Sequence, residues 1–105
     1  MPEAGLVRPG LRFSIAHDHP SLSGHFPDRA IVPGVVVLDE AVALMLRERP
    51  ANRLAGLDDV KFLAPVLPGQ EVTVACREGR AGRLSFTCAV SDHAVLRGQV
   101  RLDAA

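Results

Sequence analysis

The stretch GHFPDRAIVPGVVVLDEAVALMLRERP, residues 24–50, decides the fold of this chain of 105 residues. A His-Phe-Pro turn opens the stretch, and a Val-Pro-Gly step leads into an apolar run that contains two adjacent carboxylates. Pro33 suits a first helical position, where its missing N–H is not needed. Pro50 cannot continue a helix. The stretch therefore predicts one helix over about 34–49.

This predicted helix has apolar residues on every side except at Asp39 and Glu40. A surface helix shows a single apolar stripe, so we predict that this helix is buried nearly all round. Its apolar run is too short to cross a bilayer, which takes about 20 apolar residues. A carboxylate in a buried helix is costly unless it is paired, protonated or used. His25, fourteen residues before Asp39, is a candidate partner.

Length and composition indicate one domain over residues 1–105, with a loose segment at 1–10. The formal net charge is zero, which does not favour a nucleic-acid or membrane partner. The first ten residues lack the apolar region of a signal peptide, so we expect a cytoplasmic protein. Cys76 and Cys88 lie in predicted neighbouring strands, where a disulfide is possible but two reduced, buried thiols are favoured. The histidines and cysteines show no metal-ligand spacing, and we expect no metal and no cofactor.

Alternating apolar and polar residues predict strands on both sides of the helix. One strand precedes it at 11–15; an extended segment at 57–67 follows, with Pro65 at an edge or a bulge. Three further strands, near 72–76, 84–90 and 96–102, are joined by short loops and predict an antiparallel meander. The expected architecture is α+β: a curved antiparallel sheet wraps one long central helix, and a second subunit covers the rest of the helix.

Two segments resemble signatures of the 3-hydroxyacyl-[acyl carrier protein] dehydratases of fatty-acid synthesis, which have the hotdog fold. They are GHFPDRAIVPGVVVLDEA, residues 24–41, and KFLAPVLPG, residues 61–69. The resemblance extends from about residue 11 to the end and suggests the short branch of that family. It implies dehydration of a 3-hydroxyacyl thioester, on acyl carrier protein or coenzyme A, to the trans-2-enoyl thioester.

The resemblance also implies roles for individual residues. His25 lies on the catalytic histidine of the family, and Asp39 lies on its catalytic acid. Phe26, Pro33, Gly34 and Val35 fall in the substrate-binding part, where the backbone N–H of the glycine binds the thioester carbonyl. In the family the acid reaches the histidine across a dimer interface, so a homodimer with an acyl tunnel beside each helix is implied, and a heterodimer stays open.

These residue types suit the chemistry of dehydration. A base must take the proton on C2, and histidine has a pKa near neutrality. The departing hydroxyl needs a proton, which a carboxylic acid in apolar surroundings can hold. The negative charge that develops on the thioester oxygen needs a donor, and a helix N-terminus supplies unpaired N–H groups.

The sequence departs from the family pattern at three positions, Asp28, Ala30 and Ala43. Asp tolerates turn conformations, so the loop should persist. The third departure removes a glutamine often found four residues after the acid. Two other functions therefore stay open: a hotdog acyl thioesterase, and a non-catalytic subunit that binds acyl chains or completes a heterodimer.

Four cations are candidates for docking an acidic carrier protein. Arg47, Arg49 and Arg53 form a cluster at the end of the helix, and Lys61 is a separate candidate. The alternative for the cluster is that it stabilises the C-terminus of the helix and is solvated. His17 and His19 are either solvated or at the rim of the site.

Overall fold

The structure, a computed structural model, describes residues 10–19 and 31–104. It contains one helix and five strands: β1 (Leu11–Phe13), α1 (Gly34–Arg47), β2 (Asn52–Phe62), β3 (Val72–Glu78), β4 (Arg83–Val90) and β5 (His93–Ala104). The strands form one antiparallel sheet in the order β1-β3-β4-β5-β2. The predicted order of elements, one strand, one helix and four strands, is confirmed.

One face of the sheet is apolar because the strands alternate between buried and exposed residues. In β3 and β4 every second residue is buried, which places Val74 and Cys76 beside Phe86 and Cys88. β2 is less regular, because its pairing with β5 shifts after Leu54 and again after Asp58. Such bulges bend a strand and increase its twist.

The helix packs on this apolar face through one stripe. Its buried residues are Val37, Ala41, Val42 and Met45, which follow helical spacing. The opposite side, at Val35, Asp39, Ala43 and Arg47, is exposed. The prediction of a helix buried nearly all round is therefore wrong for a single chain, because one sheet covers only one side of it.

Several predicted boundaries are also wrong. The helix ends at Arg47, two residues early, and β1 ends at Phe13. β2 begins at Asn52, before the extended segment that was predicted at 57–67, because the residues up to Leu54 pair with the end of β5. The same strand ends at Phe62, so Pro65 lies beyond it.

The two cysteines lie on neighbouring strands and are free and buried, as predicted. Burial, with a smaller contribution from Cys76, raises the pKa of Cys88 to about 12. A buried thiol that stays protonated is a poor nucleophile, so Cys88 belongs to the core and not to a reactive site.

Candidate active site

The first two amide groups of α1 have no acceptor within residues 10–19 and 31–104. Pro33 is the N-cap (φ −56, ψ 138), one position earlier than predicted, and it makes no side-chain cap. The amides of Val36 and Val37 both donate to the carbonyl of Pro33, at 2.9 and 3.3 Å. Among the described residues, those of Gly34 and Val35 have no acceptor. Unpaired N–H groups at a helix start favour an anionic or partly charged oxygen.

A cavity of about 510 Å³ lies beside these amides. Its size falls within the range of small-molecule sites, roughly 300–1,000 Å³. The lining residues are apolar. They come from the start of α1 and the segment before it, the end of β2 and the segment after it, and β5: Ile31, Val32, Gly34, Val35, Val37, Phe62, Leu63, Ala64, Pro65, Val66, Val95 and Leu96. Such a cavity suits an acyl chain better than a polar ligand.

Both buried and exposed residues line the cavity. Val32 bridges to Val66 through an N–H···O bond of 2.8 Å, and both are buried. At the mouth, large apolar side chains are exposed, among them Val35 at 58% and Phe62 at 55%. Exposed apolar surface of this kind usually marks a binding face or an interface.

Asp39 lies on the exposed side of the helix. It is one turn beyond Val35 on the same stripe, about 6 Å further along the axis. Its carboxyl makes no hydrogen bond or ion pair with another described residue. The expectation that Asp39 is buried is therefore wrong for a single chain. Any burial of this carboxyl has to come from a second chain or from the substrate.

His25 and Phe26 lie outside the described residues. The chain re-enters the described part at Ile31, which lines the cavity mouth. The pairing of His25 with Asp39 stays a prediction. His17 is exposed, with its ring against Gly69, and neither His17 nor His19 lines the cavity.

The four predicted docking cations have different environments. Arg49 is mostly covered and forms an ion pair with Glu78 at the end of β3. Arg47 and Arg53 are exposed, the latter opposite Asp103. The structure therefore ties Arg49 to the sheet and does not leave it free for a partner.

Lys61 is the fourth of these cations. It is exposed near the end of β2, directly opposite Arg97 on β5. Like charges in that arrangement are unfavourable. Neither side chain has an ion-pair partner within the described part of the chain.

Sequence reasoning missed the contact between Phe62 and Gly34. A Cβ on Gly34 would lie 2.6 Å from Cδ1 and 2.7 Å from Cε1 of the Phe62 ring. The sequence placed both residues in motifs, but it offered no signal that one rests on the other. Only the close approach of β2 to the start of α1 brings them together.

Residues 10–19 and 31–104 contain no group of three or more side chains that could hold a metal ion. In the same part of the chain, no helix is long and apolar enough to cross a membrane.

Comparison with known proteins identifies relatives among dehydratases. Residues 8–99 match the ApeI-like family, described as ApeI dehydratase. The 3-hydroxyacyl-[acyl-carrier-protein] dehydratase FabZ of Polynucleobacter asymbioticus is 34% identical over 83 residues, which are 70% of this chain and 56% of that protein. FabZ of Psychromonas ingrahamii is 33% identical over 112 residues, 91% of this chain and 72% of that protein. The chain thus spans about half to three quarters of their length.

Solved structures agree on the fold. The dehydratase heterocomplex ApeI:P from Xenorhabdus doucetiae has a TM-score of 0.75 at 19% identity, covering 96% of this chain and 89% of that chain. The fluoroacetyl-CoA thioesterase FlK has a TM-score of 0.65 at 14% identity, covering 99% of this chain and 90% of that chain. The predicted α+β hotdog fold is confirmed. Since a dehydratase and a thioesterase share it, the fold alone does not decide the reaction.

Proposed function

Because the chain belongs to the ApeI-like dehydratase family, we propose that it is a hydro-lyase acting on a 3-hydroxyacyl thioester. The product is the trans-2-enoyl thioester, and the acyl group is attached to acyl carrier protein or coenzyme A. One observation supports this most: unpaired amides at the start of α1 open into an apolar cavity on the same side of the helix as Asp39.

Three groups of the protein carry out the steps of the reaction. His25 takes the proton from C2 of the substrate as the general base. The hydroxyl on C3 leaves with a proton from the Asp39 carboxyl, and the pair of electrons from the C2–H bond forms the double bond. Water is the only other product, so the residues need no cofactor. Proton return from the histidine to the carboxylate, directly or through water, resets the site.

The third group is the start of the helix. Removal of the C2 proton places negative charge on the thioester oxygen, and the amides of Gly34 and Val35 can donate to that oxygen. They are fixed before the substrate arrives, because the adjacent amides are already bonded to Pro33. Val35 also borders the apolar cavity. The first turn of α1 can therefore bind the thioester carbonyl and orient the acyl chain of the substrate.

Assembly of two chains would complete the site. Asp39 is exposed in one chain, and β2 is an edge strand of 11 residues with no neighbour on its outer side within the described part. Unpaired edges and exposed apolar side chains favour pairing with another chain. We propose a homodimer joined along β2, with the two helices antiparallel and Asp39 of one chain facing His25 of the other.

Light scattering should therefore report a dimer at micromolar concentration. A monomer that is inactive alone, yet active with a co-expressed second hotdog subunit, would point to the heterodimer instead; the Xenorhabdus protein is itself part of a heterocomplex. A monomer that is fully active alone would contradict a shared site.

Carrier docking is assigned first to Lys61, because Arg49 is held by Glu78 whereas Lys61 faces Arg97 without a counter-ion. An acidic carrier would relieve the repulsion between these two cations. Lys61→Glu should raise KM for carrier-bound substrate on the order of tenfold at low salt. KM for the neutral N-acetylcysteamine thioester should not change. Arg12→Glu, on the opposite edge strand β1, is the control. Equal effects on both substrates would contradict docking.

The compartment proposed is the cytoplasm. Two free, buried thiols suit a reducing environment. A biosynthetic enzyme that acts on carrier-bound thioesters is also consistent with the cytoplasm.

Mass spectrometry of a 3-hydroxyacyl carrier protein after incubation with the purified chain tests the proposal directly. Loss of one water from the acyl group is the expected result. Release of the free carrier thiol would indicate the thioesterase. No change with the chain alone, and loss of water only with a partner subunit, would indicate the non-catalytic subunit.

A further inference from the structure

The geometry points to Phe62 as a positioning residue for the thioester, a role that rests on the proposed function. We propose that its ring holds the reacting carbonyl against the start of α1 and keeps water from the two unpaired amides. Neither the sequence motifs nor the relatives assign this side chain a role.

The ring occupies the space that a side chain at position 34 would need. Its Cδ1, Cε1 and Cγ atoms lie 2.6, 2.7 and 3.3 Å from a Cβ built on Gly34. Real Cβ contacts are not that short, so any larger residue at 34 would displace the ring. Glycine at the start of the helix is thus explained by Phe62 and not by backbone conformation.

The backbone around Phe62 holds the ring in place. Phe62 is the last residue of β2 and pairs with the buried Leu96. The next two amides, of Leu63 and Ala64, both donate to the carbonyl of Val95, at 2.9 and 3.4 Å. The backbone at Phe62 is therefore fixed on both sides, which places the ring at the mouth of the cavity beside Gly34.

The exposure of the ring is what separates this role from core packing. Although anchored, Phe62 is 55% exposed and lines the mouth of the cavity. A large apolar side chain that is exposed to water in the free chain is stabilised when an acyl thioester covers it. The same cover removes water from the amides, which strengthens their bonds to the thioester oxygen.

Four variants test this inference: Phe62→Ala, Phe62→Leu, Gly34→Ala and the double variant with alanine at both positions. Leu67→Ala is the matched control, since that side chain is 45% exposed and lies outside the cavity. We expect Phe62→Ala to lower kcat by about 10- to 100-fold through misplacement of the carbonyl. Phe62→Leu should restore most of kcat, and the melting temperature should change no more than in the control.

The double variant gives the decisive comparison. Gly34→Ala should lose about 100-fold in kcat/KM, because its methyl group displaces the ring. In the double variant the methyl group has room, so the combined loss should be smaller than the product of the two single losses. Losses that multiply, or an unchanged kcat in Phe62→Ala, would overturn the inference.

Hydrogen exchange separates this inference from the proposed function. In Phe62→Ala the amides of Gly34 and Val35 should exchange faster than in Leu67→Ala, whether or not the enzyme is a dehydratase. A wild-type chain that removes no water overturns the function only. Equal exchange rates in the two variants overturn the role of the ring.

Discussion

His25→Ala should eliminate dehydration while the fold is retained. The proton on C2 cannot leave without a base, and no histidine among the described residues lines the cavity. Loss of a general base costs typically 10²–10⁴ in rate, and we expect the upper end because the substrate has no second route. The described core is entirely apolar and includes no histidine, so the melting temperature should stay near that of the parent. Turnover by mass spectrometry and thermal unfolding by circular dichroism measure the two effects.

His17→Ala and His93→Ala are the controls for this variant. Both side chains are exposed, and neither borders the cavity, so each should keep the activity of the parent. If His25→Ala stayed within about tenfold of the parent, the general base would lie elsewhere. A loss in the His17 variant would then make that residue the next candidate.

The elements that the sequence predicts well are those in which local pattern and tertiary environment agree. β3 and β4 alternate strictly, because one face of each strand meets the core and the other meets solvent. The Pro-Gly step marks the start of α1. Proline lacks a backbone N–H, and no such donor is needed at the start of a helix. These features depend on a few neighbouring residues, which a sequence displays directly.

The start of β2 could not be predicted in that way. Its first residues, Asn52 to Gly56, include types that are depleted in strands. They are extended because they lie against the last residues of β5, some 50 positions later. The ion pair between Arg49 and Glu78 and the contact between Phe62 and Gly34 have the same origin. Such contacts follow from the way the strands and the helix pack together and not from local spacing.

The burial of the helix shows a different limit. An apolar run of sequence predicts burial, but the prediction is the same whether its own chain or a second chain covers it. In one chain the sheet covers Val37, Ala41 and Met45, while Val35 and Asp39 face outward. Sequence pattern therefore predicts the apolar sides of the helix, but it does not say whether its own sheet, a second subunit or a substrate covers each side.

Asp39→Asn should lower turnover by about 10²–10⁴ with little change in stability. The amide keeps the shape of the side chain and part of its hydrogen bonding, but it has no proton to transfer to the leaving hydroxyl. Because Asp39 is exposed in one chain and has no described ion-pair partner, the substitution removes no contact within the fold. Surface substitutions of that kind usually change the free energy of unfolding by less than about 0.5 kcal/mol.

Two further variants are compared with Asp39→Asn. Asp39→Glu should keep part of the activity, since the resembling family uses glutamate at this position in one branch. Glu40→Gln is the matched control: it removes the neighbouring carboxyl, which lies off the exposed stripe, and should remain close to the parent. A large loss of stability in Asp39→Asn, with near-normal turnover per folded molecule, would make Asp39 a structural residue.

Mixing the two inactive variants tests whether the acid and the base come from different chains. In a mixed dimer of His25→Ala and Asp39→Asn, one shared site lacks both groups and the other has both. Random exchange of subunits should then restore about one quarter of the parent activity, because half of the dimers are mixed and each has one intact site. If both groups of a site belonged to the same chain, every site in the mixture would lack one of them. Activity that stays at the level of the separate variants, although native mass spectrometry shows mixed dimers, would contradict the shared site and place the partner of Asp39 within its own chain.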